Sequence, residues 1–196
     1  AAFFIVGALI IPKSMITLKN IALNKSRIAF IDVLKKMGGK IKVKKTKTVS
    51  GENVGDIKVS YSLLNAIKIK ASSSPYLIDE YPILSIAASQ AKGVTVMRGL
   101  SELRHKESDR IKSITKNLSK IGFKVISKKD DISIKGSNEL QIINQKKIKT
   151  YGDHRIAMSF AILSLLYKNK LIIDDESCIS ISYPDFKKHL KKLSTH

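Results

Sequence analysis

Three segments of this chain are apolar on nearly every side: AFFIVGALII at residues 2–11, YPILSIAASQA at 81–91 and IAMSFAILSLLY at 156–167. A helix with no polar face has no side to present to water, so each must be covered all round. The segments begin at intervals of roughly 75 to 80 residues. Each leads through a short polar turn (PKS, KG, KNK) into a β-rich stretch: MITLKNI, VTVMRGL and LIIDDE. An amphipathic helix follows in each case, RIAFIDVLKKMG, ESDRIKSITKNLSKIG and PDFKKHLKKL. The first two close on Gly38 and Gly122 and pass into the alternating strands KIKVKK and FKVISKK. The pattern predicts an α/β chain of three copies of one unit, the third cut short, with the apolar helices packed together inside surrounding sheets. Gly51 and Gly55 are expected to turn the hairpin KTKTVSGENVGDIKVSYS, and KKDDISIKG to join an Asp pair to a short strand.

The 196 residues are enough for a substantial core, and the 43% hydrophobic content is that of a folded domain. The first apolar run starts at once, without a basic leader, and is shorter than the roughly 20 residues that span a bilayer. It reads as an element entered midway, so a longer protein is expected around this chain. The single cysteine, Cys178, excludes an internal disulfide framework and a multi-cysteine metal site, and reads as a small buried thiol. No glycine-rich phosphate loop or dinucleotide fingerprint is present.

Charge is strongly unbalanced: 36 Lys and Arg against 16 Asp and Glu, a net +20. Such a surface draws anions. Yet only five of the 36 are arginine, the lysines are scattered in pairs along the chain, and no aromatic register is interleaved with them. A solvated, lysine-biased surface is therefore the plainer reading than a nucleic-acid face.

Chemistry-bearing residues concentrate at three helix starts. In LRHKESDRI (103–111), turning a helix at about 100° per residue puts Glu107 and Arg110 on the side of Ile111, Ile114, Leu118 and Ile121, with Asp109 on the face of Lys112, Lys116 and Lys120. Glu107 and Arg110 read either as an i,i+3 ion pair at a helix start or as a site, since two inward charges need partners or a ligand. One carboxylate among the cations Arg104, Lys106 and Arg110 suits proton transfer to an anionic substrate. In YGDHRIAM, Asp153 is a predicted N-cap with His154 and Arg155 in the first turn, either a plain cap beside an exposed basic pair or an anion site. In LIDEYP, Asp79 and Glu80 precede the second apolar helix, where the bland reading is a cap and dipole partner.

KESDR (106–110) and DHRIAM (153–158), with LIDEYP upstream and SYPDF downstream, resemble in that order the C-terminal half of the EPSP synthase (5-enolpyruvylshikimate-3-phosphate synthase) family. The resemblance covers essentially the whole chain. It implies an enolpyruvyl-transferase lobe of three βαβαββ-type units with helices inside, residues 1–196 forming the C-terminal lobe of a two-lobe enzyme. It further implies transfer of the enolpyruvyl group of phosphoenolpyruvate to the 5-hydroxyl of shikimate 3-phosphate with release of phosphate, without metal or organic cofactor. By position, Glu107 and Lys106 match the family's proton-handling pair, and Asp79 an aspartate that contacts the shikimate hydroxyls and is a candidate base. Arg110 and Arg155 match the arginines that clamp phosphoenolpyruvate, with His154 beside them. A cytoplasmic enzyme, monomeric at full length, with small-molecule substrates and no nucleic-acid or membrane partner, is the corresponding expectation. The chain alone, lacking the other lobe, is expected to be inactive.

One departure stands out: some members carry a lysine two positions before the aromatic-proline pair, where this chain has Ile181 before Tyr183 and Pro184. The nearest rival, the sister family that transfers enolpyruvyl to UDP-N-acetylglucosamine, uses a catalytic cysteine in the other lobe, so Cys178 does not discriminate; KESDR and DHRIAM favour shikimate. A basic nucleic-acid module is the rival of another class.

Overall fold

The computed structural model describes residues 1–137, 144–167 and 170–194. Chain order is α1 (Ala2–Ile10), β1 (Met15–Ala22), α2 (Lys25–Lys36), β2 (Lys40–Val49) and β3 (Glu52–Ser60). A second unit follows: β4 (Leu64–Asn65), β5 (Lys68–Ile69), α3 (Ser74–Leu77), α4 (Tyr81–Ser89), β6 (Ala91–Met97), α5 (Arg110–Ile121), β7 (Lys124–Lys128) and β8 (Asp131–Gly136). The third comprises β9 (Lys146–Ile148), α6 (His154–Ser164), β10 (Leu171–Ile173), α7 (Ser177–Ser182) and α8 (Phe186–Ser194).

The repeat is visible in the pairing. β1, β3 and β2 form an antiparallel sheet in that order, and β6, β8 and β7 form its counterpart. In the second unit β4 and β5 pair parallel to β6 across α4, and in the third β9 pairs parallel to β10 across α6. Every residue of α1 and of α4 is buried, as are residues 156–163 of α6. These three helices pack on one another, while α1 lies against β1 and β3, α4 against β6 and β8, and α6 against β10. The fold is therefore the expected one, apolar helices inside and sheets outside. Each Leu, Ile or Phe so enclosed contributes about 1.5–3 kcal/mol, which is why the all-round apolar pattern dominates the architecture.

Local departures have local causes. Gly122 caps α5 in the left-handed region at φ 113°, as expected of a helix stop. Gly51 sits in the β2–β3 turn at φ 80°, but Gly55 is not a turn residue. It lies within β3 opposite the register shift between Lys45 and Lys47, where a Cβ would meet the Lys44 carbonyl at 2.5 Å. The expected turn at Lys92 and Gly93 is likewise part of β6, with Gly93 at φ 107° paired to Gly136. The first two residues of the KNK turn, 168 and 169, lie outside the described residues. Cys178 is buried in α7, and burial, reinforced by Asp175, pushes its thiol pKa up.

Candidate active site

α5 starts three residues later than the helical projection assumed. Asp109 is its N-cap, its Oδ1 accepting from the Lys112 backbone N–H at 3.0 Å, and Arg110 is the first helical residue. Glu107 thus lies in the bend before the helix rather than on its first turn. Asp109, expected among the outer lysines, is half-buried instead and pairs with Arg104 at 3.3 Å. Ile111, Ile114, Leu118 and Ile121 are buried and Lys112, Lys116 and Lys120 exposed, as projected, but Glu107, projected inward with Arg110, is exposed because it precedes the helix.

Arg110 is the largest fully buried side chain among the described residues, at 0% exposure. Each of its three guanidinium nitrogens donates to a carboxylate, and the three carboxylates come from different places in the chain. Nε donates to Asp153 Oδ2 at 2.8 Å, one terminal nitrogen donates to Asp79 Oδ1 at 3.1 Å, and the other donates to Glu107. Lys106 Nζ lies 3.6 Å from the same Asp79 oxygen. Burying an unpaired guanidinium would cost several kcal/mol, and these charge-assisted bonds offset that cost.

The two edges of that guanidinium differ. Asp153, on the Nε edge, is 0% exposed, whereas the side chains of Asp79 and Glu107 are 49% and 47% exposed. An incoming oxyanion can replace the half-exposed partners and cannot reach the buried one.

Arg155, in the first turn of α6, donates to the Asp79 main-chain carbonyl at 2.6 Å and to Glu80 at 3.4 Å. Glu80 also pairs with Arg27, at 3.6 Å, on the first turn of α2. His154 is half-buried at the start of the same helix as Arg155. Glu80 occupies the N-cap position of α4, as the bland reading of LIDEYP had it, although neither its side chain nor that of Asp79 makes a capping hydrogen bond. Asp79, Lys106, Glu107, Arg110 and Arg155 form one contiguous cluster, with His154 adjoining through the chain.

Electrostatics follow the geometry. Burial pushes the Asp79 carboxyl up, but Arg155, then Lys106 and Arg110, outweigh it and hold its pKa below the ordinary value. A carboxylate held that way is a weak base until an anion draws those cations toward itself. The cluster is otherwise balanced, the cations Arg27, Lys106, Arg110 and Arg155 facing the carboxylates of Asp79, Glu80, Glu107 and Asp153. Among the described residues no group of His, Cys, Asp and Glu is arranged to hold a metal ion.

Sequence reasoning missed three parts of this site: the Arg110–Asp153 pair, Ser108, which donates to Asp153 Oδ2 at 3.1 Å, and the Arg27–Glu80 contact. The only sequence signal for the first was that two inward charges need partners. Two cavities of about 510 and 560 Å³ lie elsewhere, around Phe4, Ile162 and Leu190 and around Ile173 and Phe186, and touch none of these residues.

Comparison with known proteins gives one family. Residues 1–190 match the family model of EPSP synthase (3-phosphoshikimate 1-carboxyvinyltransferase). Relatives named 3-phosphoshikimate 1-carboxyvinyltransferase include those of Petrotoga mobilis, 43% identical over 193 residues, and of a Sulfurihydrogenibium species, 43% identical over 194. The comparison covers 98% and 99% of this chain and 44% of each relative, so the chain spans less than half their length. The EPSP synthase structure from Acinetobacter baumannii superposes with a TM-score of 0.90 at 33% identity, over 98% of this chain and 44% of that one. The enolpyruvyl transferase NikO of Streptomyces tendae shares the fold alone, with a TM-score of 0.73 at 15% identity over 98% of this chain and 41% of that one.

Proposed function

Because the chain belongs to the EPSP synthase family, we propose that it is the C-terminal lobe of a two-lobe enzyme that moves the enolpyruvyl group of phosphoenolpyruvate onto the 5-hydroxyl of shikimate 3-phosphate. The 44% coverage of the relatives supports the assignment of residues 1–196 to one lobe. In the first step the hydroxyl oxygen bonds to C2 of phosphoenolpyruvate and loses its proton, while C3 gains one. In the second, the bond from C2 to the phosphate oxygen breaks and C3 returns a proton, regenerating the double bond and releasing phosphate. Atoms balance with no redox partner, so acids, bases and cations on the protein suffice.

Arg110 and Arg155, with His154 beside them, clamp the anionic phosphoenolpyruvate. Glu107 and Lys106 handle the protons at the methylene carbon and the reacting hydroxyl, and Asp79 contacts the shikimate hydroxyls and serves as base. The single observation that carries this reading is the asymmetry of Arg110, fixed on its buried edge and held on its outer edge by two half-exposed carboxylates. When a substrate oxyanion takes that outer edge, Glu107 and Asp79 are freed for proton work as the substrate arrives. The +20 charge supplies a field that favours the approach of anions. The same reading makes the full-length protein a cytoplasmic monomer, working on small molecules without nucleic acid, membrane or cofactor, and the isolated lobe inactive. Its test is phosphate release by the full-length protein. Release from phosphoenolpyruvate only when shikimate 3-phosphate is added supports the proposal, and no release with both present overturns it.

A further inference from the structure

The buried Asp153 lies away from the outer edge of the Arg110 guanidinium, yet it bonds to both arginines of the proposed clamp. Its Oδ1 accepts from the backbone N–H of Arg155 at 2.9 Å and of Ile156 at 3.3 Å, capping α6. Its Oδ2 accepts from Arg110 Nε at 2.8 Å and from the Ser108 hydroxyl at 3.1 Å. A helix cap needs only one oxygen. The other reaches 43 residues back along the chain to a different repeat unit.

Its own placement is secured from outside the site. Tyr151 and Gly152 turn the chain through the left-handed region at φ 56° and 74°, and the Asp153 N–H donates to the Thr150 carbonyl at 3.1 Å. Thr150 is in turn held by Asp174, which accepts from its N–H and its hydroxyl, each at 2.9 Å.

We propose that Asp153 is a positioning residue that sets the spacing of the two arginines, holding Arg110 by its Nε edge through Oδ2 and the start of the Arg155 helix through Oδ1. This rests on the reading of Arg110 and Arg155 as the phosphoenolpyruvate clamp. A clamp made of one side chain from α5 and one from α6 needs a fixed distance between those helix starts. A single carboxylate bonded to both supplies it, while Arg110 keeps its outer nitrogens free to exchange partners. Asp153 itself donates or removes no proton in the reaction.

The test separates the cap from the clamp. In the full-length protein, Asp153→Ser keeps a capping hydroxyl and removes the acceptor for Arg110. The expected result is a KM for phosphoenolpyruvate raised on the order of tenfold to a hundredfold, the equivalent of one charge-assisted bond from the misplaced clamp to its substrate, with the KM for shikimate 3-phosphate changed by less than about threefold. Should Asp153→Ser fold poorly, Asp153→Asn, which caps through its oxygen and turns an N–H2 toward Arg110, carries the same expectation. A purely structural cap predicts wild-type KM values in the capping variants, and that outcome, or both KM values rising together, overturns the proposal. The wild type is assayed in parallel: its failure to turn over both substrates would strike the function proposed above, whereas wild-type turnover with an unmoved KM in the variants would strike this inference alone.

Discussion

A terminal nitrogen of Arg110 and Oδ1 of Asp79 stand 3.1 Å apart, joining the first residue of α5 to the segment just before α4. One partner is buried and the other half-exposed. That pairing puts a fixed cation behind a carboxylate that meets solvent.

Asp79 makes stability depend on acid. Its pKa is lower in the folded protein than in the unfolded chain, because the pull of Arg155, Lys106 and Arg110 exceeds the effect of burial. The folded state therefore binds this proton less readily. The stabilisation is complete above the ordinary carboxylate value of about 4 and is lost as pH falls through the lower folded value. Thermal unfolding of wild type and Asp79→Asn should show a gap in Tm near pH 6 that closes toward pH 3. A gap that widens on acidification would contradict the sign.

Removing the buried cation should be costly. Arg110→Met leaves Asp153 enclosed without its ion partner, and breaking a buried pair from one side costs about 3–5 kcal/mol. Urea unfolding should register a loss of that size. A change under about 1 kcal/mol would mean the cluster is less desolvated than its geometry implies.

Backbone contact between β8 and α4 leaves no room at Gly136. A Cβ there would strike the carbonyls of Ala88 and Ala91. Gly136→Ala should lower stability by about 1–3 kcal/mol through forced displacement of the strand, again read by urea unfolding. Gly51, whose added Cβ would meet nothing within 4 Å, is a control for crowding alone, with its φ of 80° as the remaining source of strain.

Periodicity revealed the large elements because their burial is uniform: α1 and α4 are enclosed along their whole lengths, and a helix without a polar face is stable only when covered on every side. It failed where structure is decided between distant residues. β4 and β5 are two residues each and β9 three, too short for alternation to show. Gly55 and Gly93 resembled turn residues because glycine marks turns and close backbone approach alike, and only pairing with a neighbouring strand distinguishes them. In the site, the inward direction of Arg110 was legible from helical spacing, whereas its tie to Asp153 was not, since nothing local to either residue encodes a contact across 43 positions. Glu107 was read as turned inward on the first turn; it pairs with Arg110 but stays exposed in the bend ahead of the helix, because Asp109 takes the cap.

The role of Glu107 as proton carrier is tested most directly by the turnover of Glu107→Gln in the full-length protein with phosphoenolpyruvate and shikimate 3-phosphate. Glutamine keeps the shape and an oxygen for Arg110 but cannot carry the proton. The expected result is a kcat lowered about 10²- to 10⁴-fold, the usual contribution of one general acid–base group, with the KM for phosphoenolpyruvate within about threefold of wild type. A kcat within about threefold of wild type would contradict that role.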